Sequence, residues 1–373
     1  MTDWTAYPGQ TVILASGDEL AQMRFDDPLA PNVEAQFNAL PAAGTRLPFL
    51  DGDLIPGAKY TSDQEGTDNV VGNHFQGIQR IPNSPYAILS MANWENPLDQ
   101  AVSQLALVER QPGVANGSWG AGAPPDSGRV VGLVALERGS YWHAGGICLL
   151  GDLLAVPLES YVPDDRTRVV FLSFAKPLAP KRLGPTIEKT GRGGSVAVTR
   201  LPNGYFVCGV WSDPAKGQPG RLDLYLSNSA RFDDGFVAGP PGASWVAPKL
   251  RRAPAENADN YPAYQALRFV TQPDGQIYLI GTGNTQSAEP FLNGRNYAHL
   301  MKVDFLPETL GKTPVLAPPK ITIAAREFDC SSKHAGLGAA GGVFIDGDGR
   351  LALYSAYHYR VDRRIRCTEF WGG

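Results

Sequence analysis

The sequence predicts an all-β protein, and two observations lead to this prediction. The chain has 42 glycines and 31 prolines among 373 residues, a content that disfavours long helices and suits short strands joined by turns. The second observation is a repeat, in which an apolar strand, a tight turn and a nine-residue apolar strand follow one another five times. The repeat therefore predicts five similar antiparallel units.

Each nine-residue strand of the repeat begins at a dipeptide that is typical of hairpins. These dipeptides favour a positive φ angle, which tight hairpin turns require. Another apolar strand precedes each turn, and a third strand follows each nine-residue strand. The turn dipeptides are Asn83-Ser84, Gly151-Asp152, Asn203-Gly204, Asp274-Gly275 and Asp348-Gly349, and the strands are 85–93, 152–160, 205–213, 276–284 and 350–358.

Four-stranded antiparallel units arranged around an axis are typical of a β-propeller, so a single five-bladed propeller domain, 1–373, is expected. A fourth, more polar strand can be placed after four of the units, but the fifth unit reaches the end of the chain without one. The segment 11–16, "TVILAS", is expected to supply this outer strand and close the ring, and 17–72 is expected to wrap around the domain. The expected blades are 73–139, 140–190, 191–255, 256–328 and 329–373.

Other all-β arrangements remain open at this stage. A β-sandwich or a pair of stacked β-domains would contain the same short strands and turns. The five-fold register of turns and strand ends favours the propeller over both. A sixth blade is disfavoured because the segment 17–72 is rich in Pro, Ala and Asp and has no second hairpin.

Composition and charge exclude several classes of function. The formal net charge is -4 and the basic residues are scattered, so the chain lacks the positive field that holds a phosphate backbone. No stretch has the roughly eighteen apolar residues of a membrane helix. The glycine-rich segment 191–195 is followed by a strand and by no GK[ST] sequence. We therefore expect no nucleic-acid partner, no membrane span and no nucleotide cofactor.

Targeting signals and cysteines add little to the functional assignment. The N-terminus, "MTDWTAYPGQ", has neither the basic nor the apolar region of a signal peptide, so a cytoplasmic protein is expected by default and a secreted one if this is a mature domain. Four cysteines without a CxxC pair indicate neither a disulfide scaffold nor a cysteine metal site. Cys148 and Cys208 are expected to be buried thiols, whereas a disulfide between Cys330 and Cys367 is one option.

Polar residues gather at the strand ends that an antiparallel hairpin brings to one rim. The entrance of a first strand and the exit of the second strand lie side by side. Side chains that are distant in sequence are therefore expected to face one another around one opening. Four of the five histidines fall at these positions, and His299 lies within a third strand. The histidines at the rim are His74, His143, His334 and His358.

These histidines suit either a metal ion or acid–base chemistry. Imidazoles that converge from several blades can bind Zn, Fe, Cu or Ni, and together with Glu159 they would leave an open catalytic position. The alternative is that each histidine caps a strand end or bonds to a loop carbonyl. If one divalent metal ion is bound, the expected ligands are His74, His143 and His334.

Two carboxylates end equivalent strands in neighbouring units. Glu159 and Asp213 could serve as acid and base in glycoside cleavage or in an elimination, with the pKa of each set by the other and by burial. Asp68 could add a third acid, although plain surface charge is the simpler explanation of its acidic loop. The expected catalytic residues are His74, His143, Glu159, Asp213, His334 and His358.

Aromatic and amide side chains share the same strand ends. Aromatic walls beside carboxylates and amides suit sugar rings and other flat, partly apolar ligands. Packing between the units is the alternative explanation for part of the aromatic set. The expected substrate-binding residues are Asn93, Trp94, Trp142, Trp211, Tyr261, Asn284 and Tyr357.

From about residue 73 to 370, the chain resembles the five-bladed β-propeller superfamily. The matching features are the five turn-and-strand units and the blade opening "HAGGICLLGDLLAVPLE". Members of this architecture include arabinanase- and invertase-like glycosidases and tachylectin-type lectins, and the resemblance implies a sugar-directed site on the axial or rim face. The acidic trio of the glycosidases would here involve Glu159, Asp213 and Asp68. The unequal units of this chain differ from the near-identical repeats of the lectins.

A single asymmetric pocket is expected because the five units differ, and one site suits catalysis. The leading hypothesis is an enzyme, a hydrolase or lyase that acts on a small polar or glycosidic substrate through the histidines and a carboxylate. One alternative is a non-catalytic module that binds a glycan or another small ligand. The other is a structural scaffold with no ligand, and the oligomeric state is not predicted.

Overall fold

The computed structural model is an all-β fold in the part of the chain that it describes. Its twenty-two described strands form four sheets. The described residues are 14–52, 54, 73–93, 101–110, 116–121, 124, 126–160, 165–214, 219–239, 243–248, 262–284, 295–330, 336–359 and 363–372.

The strands are short, as the content of glycine and proline predicts. The first eleven are β1 (Thr45–Leu50), β2 (Asn73–Arg80), β3 (Tyr86–Asn93), β4 (Val102–Arg110), β5 (Gly128–Arg138), β6 (His143–Ala144), β7 (Cys148–Leu150), β8 (Leu153–Ser160), β9 (Arg166–Ser173), β10 (Lys181–Thr190) and β11 (Ser195–Arg200). The others are β12 (Phe206–Ser212), β13 (Arg221–Ser227), β14 (Phe236–Ala238), β15 (Trp245–Val246), β16 (Ala266–Thr271), β17 (Ile277–Asn284), β18 (Asn296–Asp304), β19 (Lys320–Phe328), β20 (Gly336–Ile345), β21 (Leu351–Ala356) and β22 (Arg364–Trp371).

One sheet of eight strands, here called the closed sheet, joins the two ends of the chain. Its order is β1-β22-β21-β20-β2-β3-β4-β5, and it returns on itself because β1 also pairs with β5. The second sheet contains β6 to β10, the third contains β11 to β15, and the fourth contains β16 to β19. Neighbouring strands of the second, third and fourth sheets pair in antiparallel fashion.

Three short α-helices of the described residues lie outside the sheets: α1 (Gly17–Ala21), α2 (Val33–Ala39) and α3 (Pro307–Leu310). The helix α1 begins with a capping box, in which Ser16 and Glu19 satisfy each other's backbone N–H groups. The helix α2 buries Val33 and Phe37 against the closed and fourth sheets. No helix of the described residues is both long enough and apolar enough to cross a membrane.

The prediction of a five-bladed propeller closed by an N-terminal strand is wrong. The strands form four sheets, because the first and last predicted units share the closed sheet through the parallel pairs β1–β5 and β2–β20. Of the segment 11–16 that was expected to close the ring, residues 11–13 lie outside the described residues, and Leu14 bridges to Arg182 in the second sheet. Instead β1 pairs with β22, and it buries Leu47 and Phe49 at alternate positions as a half-buried strand does.

The predicted hairpin turns are present where their dipeptides stand. The residue at each turn has a positive φ, a backbone conformation that favours glycine and asparagine. The apolar runs on both sides of the turns are buried strands. The five φ angles are 57° at Asn83, 56° at Gly151, 88° at Gly204, 86° at Gly275 and 78° at Gly349.

The first strands of the five predicted units, β2, β7, β11, β16 and β20, are here called the inner strands, and they pack against one another. Strand β7 contacts β11, β11 contacts β16, and β16 contacts β20, which also contacts β2. Glycine allows this approach: a Cβ on Gly146 would lie 1.8 Å from the carbonyl oxygen of Gln265, and one on Gly342 would lie 1.8 Å from that of Ile78. Backbone hydrogen bonds cross the gap, since Gly146 N–H donates to the Gly194 carbonyl.

A buried arginine ties the N-terminal segment to these inner strands. The guanidinium of Arg268 in β16 is fully buried, and its Nη2 lies 2.7 Å from Oδ2 of Asp27. Its Nη1 donates to Oε1 of Gln79 in β2 and to the carbonyl of Val343 in β20. Asp27 also accepts from the backbone N–H of Gly151. The ion pair of Arg268 and Asp27 therefore links the N-terminal segment to three sheets. The carboxylate of Asp27 neutralises the buried charge of Arg268.

A second buried charge cluster lies inside the closed sheet. Glu369 in β22 accepts hydrogen bonds from the hydroxyl of Tyr354 and from the backbone N–H of Trp119. The Arg80 guanidinium in β2 lies 3.8 Å from the same carboxylate and 4.3 Å from the centre of the Trp119 ring. These contacts connect strands from the two ends of the chain.

The four cysteines are free thiols. The disulfide between Cys330 and Cys367 that the sequence left open is therefore absent, and the sulfur of Cys330 instead lies 3.4 Å from the hydroxyl of Ser355. Cys148 and Cys208 are buried, and burial raises the pKa of both thiols. They behave as small apolar core residues.

The close packing of the inner strands predicts a large difference between two Gly→Ala substitutions. Gly146→Ala should lower the free energy of unfolding by about 3 kcal/mol, because its Cβ must displace the backbone of β16 or of the residues before it. Gly184→Ala is the matched control, since no atom lies within 4 Å of its Cβ position, and its effect should stay within about 0.5 kcal/mol. Urea unfolding measures both, and equal stabilities of the two variants would contradict the packing argument.

Candidate functional site

The candidate site begins where β6 meets the end of β8. The two-residue strand β6 pairs with β8, so that His143 lies directly opposite Glu159. Side chains at directly opposite positions of antiparallel strands lie on the same face of the sheet. The Nδ1 atom of His143 is 2.8 Å from Oε2 of Glu159, and both residues are buried. The hairpin register thus places an imidazole against a carboxylate.

The other side of the His143 ring faces a buried amide. Nε2 of Gln76 in β2 lies 3.2 Å from Nε2 of His143. An amide nitrogen can only donate a hydrogen bond, so the facing ring nitrogen must accept one. Of the two tautomers of His143, the contact therefore favours the one with its proton on Nδ1, on the side of Glu159.

Two further predicted histidines lie beside His143. The rings of His74 in β2 and His358 after β21 are stacked, with centroids 4.8 Å apart and an angle of 14° between their planes. The centroid of His74 is also 5.2 Å from that of His143. Trp142 packs edge-on against His143 at 5.3 Å and closes one side of this group. The structure thus brings together histidines from the closed sheet and the second sheet.

His358 is held in its neutral form. Burial is the main cause that lowers its pKa to about 3, a positive charge on His143 acts in the same direction, and a hydrogen bond with the backbone of Ala339 acts in the opposite direction. A histidine with such a pKa carries no charge at neutral pH. His358 can therefore hydrogen-bond within the group, but it does not hold a second proton under these conditions.

Asp213, just after β12, has a pKa that differs strongly from that of an ordinary aspartate. The residue reaches solvent, yet protein crowds its carboxyl group from the other sides, and this desolvation is the main cause that raises its pKa to about 6. The charge of Glu159 raises it further. Hydrogen bonds from the indole N–H of Trp211, at 2.8 Å, and from the backbone of Tyr264 act in the opposite direction.

The other predicted site residues lie in different surroundings. Trp211 is fully buried against Tyr264 and holds Asp213, so its ring presents no face to a ligand. Asn93 ends β3, Asn284 ends β17 and bonds to Asn296, and Tyr357 follows β21, each with 4% of its surface exposed. Four residues named in the sequence analysis lie outside the described residues: Asp68, Trp94, Tyr261 and His334.

The described residues give the metal hypothesis no support. Within them, no group of three or more His, Cys, Asp or Glu side chains is arranged to hold a metal ion. The stacked rings of His74 and His358 are nearly parallel, so the nitrogen lone pairs in their planes do not converge on one point. The third expected ligand, His334, belongs to the part that is not described.

Sequence reasoning missed three residues that shape this site. Gln76 contacts His143, the Tyr264 backbone bonds to Asp213, and the charge of Glu159 acts on Lys189 in β10. Gln76 could have been noticed as a polar residue in an apolar inner strand. Tyr264 and Lys189 give no such signal, because a backbone group has no residue type and a lysine in an outer strand is usually at the surface.

No protein-family model matches the chain, and no curated protein sequence matches it either. Among solved structures, a sucrose-6-phosphate hydrolase from Lactobacillus gasseri is similar at 10% identity and a TM-score of 0.44, over 76% of this chain and 54% of that one. The chain thus spans only about half of that hydrolase. An alpha-L-arabinanase from Penicillium chrysogenum, complexed with arabinobiose, is similar at 9% identity and a TM-score of 0.41, over 88% of this chain and 98% of that one.

A third solved structure is an N-acetylgalactosamine deacetylase from F. plautii, in complex with blood group B trisaccharide. It is similar at 10% identity and a TM-score of 0.35, over 82% of this chain and 94% of that one. Likeness at this level assigns no role to any residue of this chain.

The contact between Trp211 and Asp213 predicts how a variant titrates. Trp211→Phe removes a donor that favours the charged carboxylate, so the pKa of Asp213 should rise above its parental value by about one unit. Carbon-detected NMR of the side-chain carboxyls measures this pKa, with Asp213→Asn to assign the signal. Trp245→Phe is the control, because Trp245 packs on Trp211 at 6.2 Å and should leave the titration of Asp213 unchanged.

The same titration has a consequence for stability. The folded pKa of Asp213 lies above its ordinary value of 3.8, so the folded protein favours the protonated acid. This contribution to stability is present below pH 4 or so and is lost as pH rises through about 6. Trp211→Phe should move the loss to higher pH, and an unchanged NMR midpoint would show that the indole does not hold this carboxylate.

Proposed function

We propose that this chain is a hydrolase that acts on a glycosidic or similar polyhydroxylated small molecule, with Glu159 and Asp213 as its acid–base pair. The observation that supports this most directly is the raised pKa of Asp213, about 6, beside a second carboxylate. Interacting carboxyl groups whose surroundings push their pKa values apart can hold a proton on one and a charge on the other. Hydrolysis of a glycosidic bond needs both forms at once.

Asp213 is the proposed general acid. A group with a pKa near 6 keeps its proton in about half of the molecules at that pH, which an ordinary aspartic acid does not. In the proposed reaction, this proton passes to the oxygen of the leaving group as the bond to the sugar breaks. The exposed side of Asp213 leaves room for that oxygen.

Glu159 is the proposed base. Its carboxylate faces the Nδ1 side of His143 and interacts with the ammonium of Lys189, and both neighbours favour the ionised form. An ionised Glu159 can accept a proton from the attacking water, while Asp213 gives a proton to the leaving group. Proton exchange with solvent then returns both carboxyl groups to their starting states. His143 orients this carboxylate from the opposite strand.

Amide and imidazole groups at the same strand ends support a polar, hydroxyl-rich substrate. Asn93 is the last residue of β3 and Asn284 is the last residue of β17, and Glu159 stands next to the last residue of β8. Asparagine offers a donor and an acceptor, the combination that sugar hydroxyls match. A metal ion is not needed for this proposal, which uses only proton transfer.

The experiment is a comparison of variants on a panel of oligosaccharides and 4-nitrophenyl glycosides. Asp213→Asn and Glu159→Gln should each lower kcat/KM at least 100-fold, the usual contribution of a positioned acid or base. Glu327→Gln is the control, because Glu327 is exposed and pairs with Arg295 in the fourth sheet, and it should keep the parental rate. The parental rate should fall as pH rises through about 6, since Asp213 then loses its proton.

Product analysis separates the proposal from its alternatives. Hydrolysis releases a reducing sugar, whereas an elimination leaves an unsaturated product that absorbs ultraviolet light. Stoichiometric binding of an oligosaccharide without any product would instead indicate a recognition module. Parental activity in Asp213→Asn would overturn the assignment of the acid.

A further inference from the structure

The proposed base belongs to a row of side chains that crosses the second sheet. His143 in β6 pairs with Glu159 in β8, Glu159 pairs with Thr167 in β9, and Thr167 pairs with Lys189 in β10. Residues directly opposite one another in antiparallel strands point to the same face. The face that holds Glu159 therefore also holds Lys189, two strands away.

Lys189 holds the loop that leads into β11, here called the 190–194 loop. The ammonium Nζ donates to the carbonyl oxygens of Thr190 and Arg192, at 3.1 and 3.4 Å. Thr167 in the same row donates its hydroxyl to the carbonyl of Gly191 at 2.9 Å. Two neighbours in the row thus bind three successive carbonyl groups of this loop.

The 190–194 loop contacts Asp213 on one side and the residues that follow β6 on the other. The carbonyl of Gly194 accepts from Gly146, close to the strand that pairs with the end of β8. On its other side, the Cβ position of Gly194 is 3.6 Å from Oδ2 of Asp213. A third tether comes from Ser212, which donates to the Arg192 carbonyl at 2.9 Å. The loop therefore connects Asp213 with the residues that follow His143, the partner of Glu159 in the strand pair β6–β8.

Lys189 is also a nearly buried charge, with 5% of its side chain exposed. Burial lowers its pKa, and the charges of Asp223, at 3.3 Å, and of Glu159 act against this. Arg221 in β13 lies 2.7 Å from Asp223 and repels Lys189. A buried cation of this kind interacts more strongly with its neighbours than a surface lysine does.

We propose that Lys189 is a positioning residue for the carboxylate pair, which fixes the 190–194 loop against Asp213 and the residues that follow His143 and supplies positive charge to Glu159. This inference rests on the proposed function for its role in catalysis, but its electrostatic part concerns the free protein. The other charged or titratable groups that face this centre are His143, Asp213, Asp223 and Arg221; when Lys189 loses its charge, Asp223 keeps the ion pair with Arg221 at 2.7 Å.

The test measures the titration of Glu159 by carbon-detected NMR in the full chain without substrate, with Glu159→Gln to assign the signal. Lys189→Met removes the charge and should raise the pKa of Glu159 relative to the parent by roughly half a unit. Lys189→Arg keeps the charge and should restore the parental midpoint. Thr167→Val removes only a loop tether and should leave this pKa unchanged.

Two results would overturn the inference: a parental midpoint in Lys189→Met, or the same shift in Thr167→Val, which would show that loop geometry and not charge is responsible. If Lys189→Met does not fold, Lys189→Gln replaces it. On an active substrate, Lys189→Met should also move the acid side of the pH–rate profile upward, and Lys189→Arg should not. The two hypotheses can fail separately. If Lys189→Met shifts the midpoint of Glu159 but Glu159→Gln keeps the parental activity, the electrostatic contact is supported and the proposed function is rejected.

Discussion

The close approach of the inner strands is the constraint on which the rest of the structure depends. Backbones meet at Gly146 and Gly342, where a single added carbon would overlap a carbonyl oxygen of the neighbouring strand. Because the strands approach this closely, the ends of β2, β6 and β8 lie within side-chain reach of one another. His74, His143 and Glu159 meet for this reason, although His74 belongs to the closed sheet and the other two residues belong to the second sheet.

Local features of the fold could be predicted from the sequence, and the joining of the sheets could not. A turn dipeptide and the apolar runs beside it act within a few residues, so Asn83 and Gly275 mark real turns. The pairing of β1 with β22 depends on residues that are about 300 positions apart. Pro48 lies within β1 and removes a backbone donor, so this segment does not look like a strand in the sequence. A propeller closed by residues 11–16 was the wrong conclusion from correct hairpins.

The site shows the same division. His143 and Glu159 could be predicted as neighbours because one hairpin brings the start of its first strand to the end of its second. The role of Trp211 could not, because the sequence "WSD" does not tell whether the indole faces a ligand or the core. In the structure the indole is buried and its N–H donates a hydrogen bond to Asp213. Lys189 could not be found either, since its burial depends on how the third sheet packs against the second.

The antiparallel pair β1–β22 has a consequence for how the chain matures. The edge of β1 stays open until β22 (Arg364–Trp371) has left the ribosome, because this partner strand follows β1 in the chain by about 300 residues. Closing so long a loop costs entropy and slows assembly. During synthesis, the exposed backbone of β1 is therefore a place where another nascent chain can add a strand, and pairing with β22 protects the protein from such aggregation.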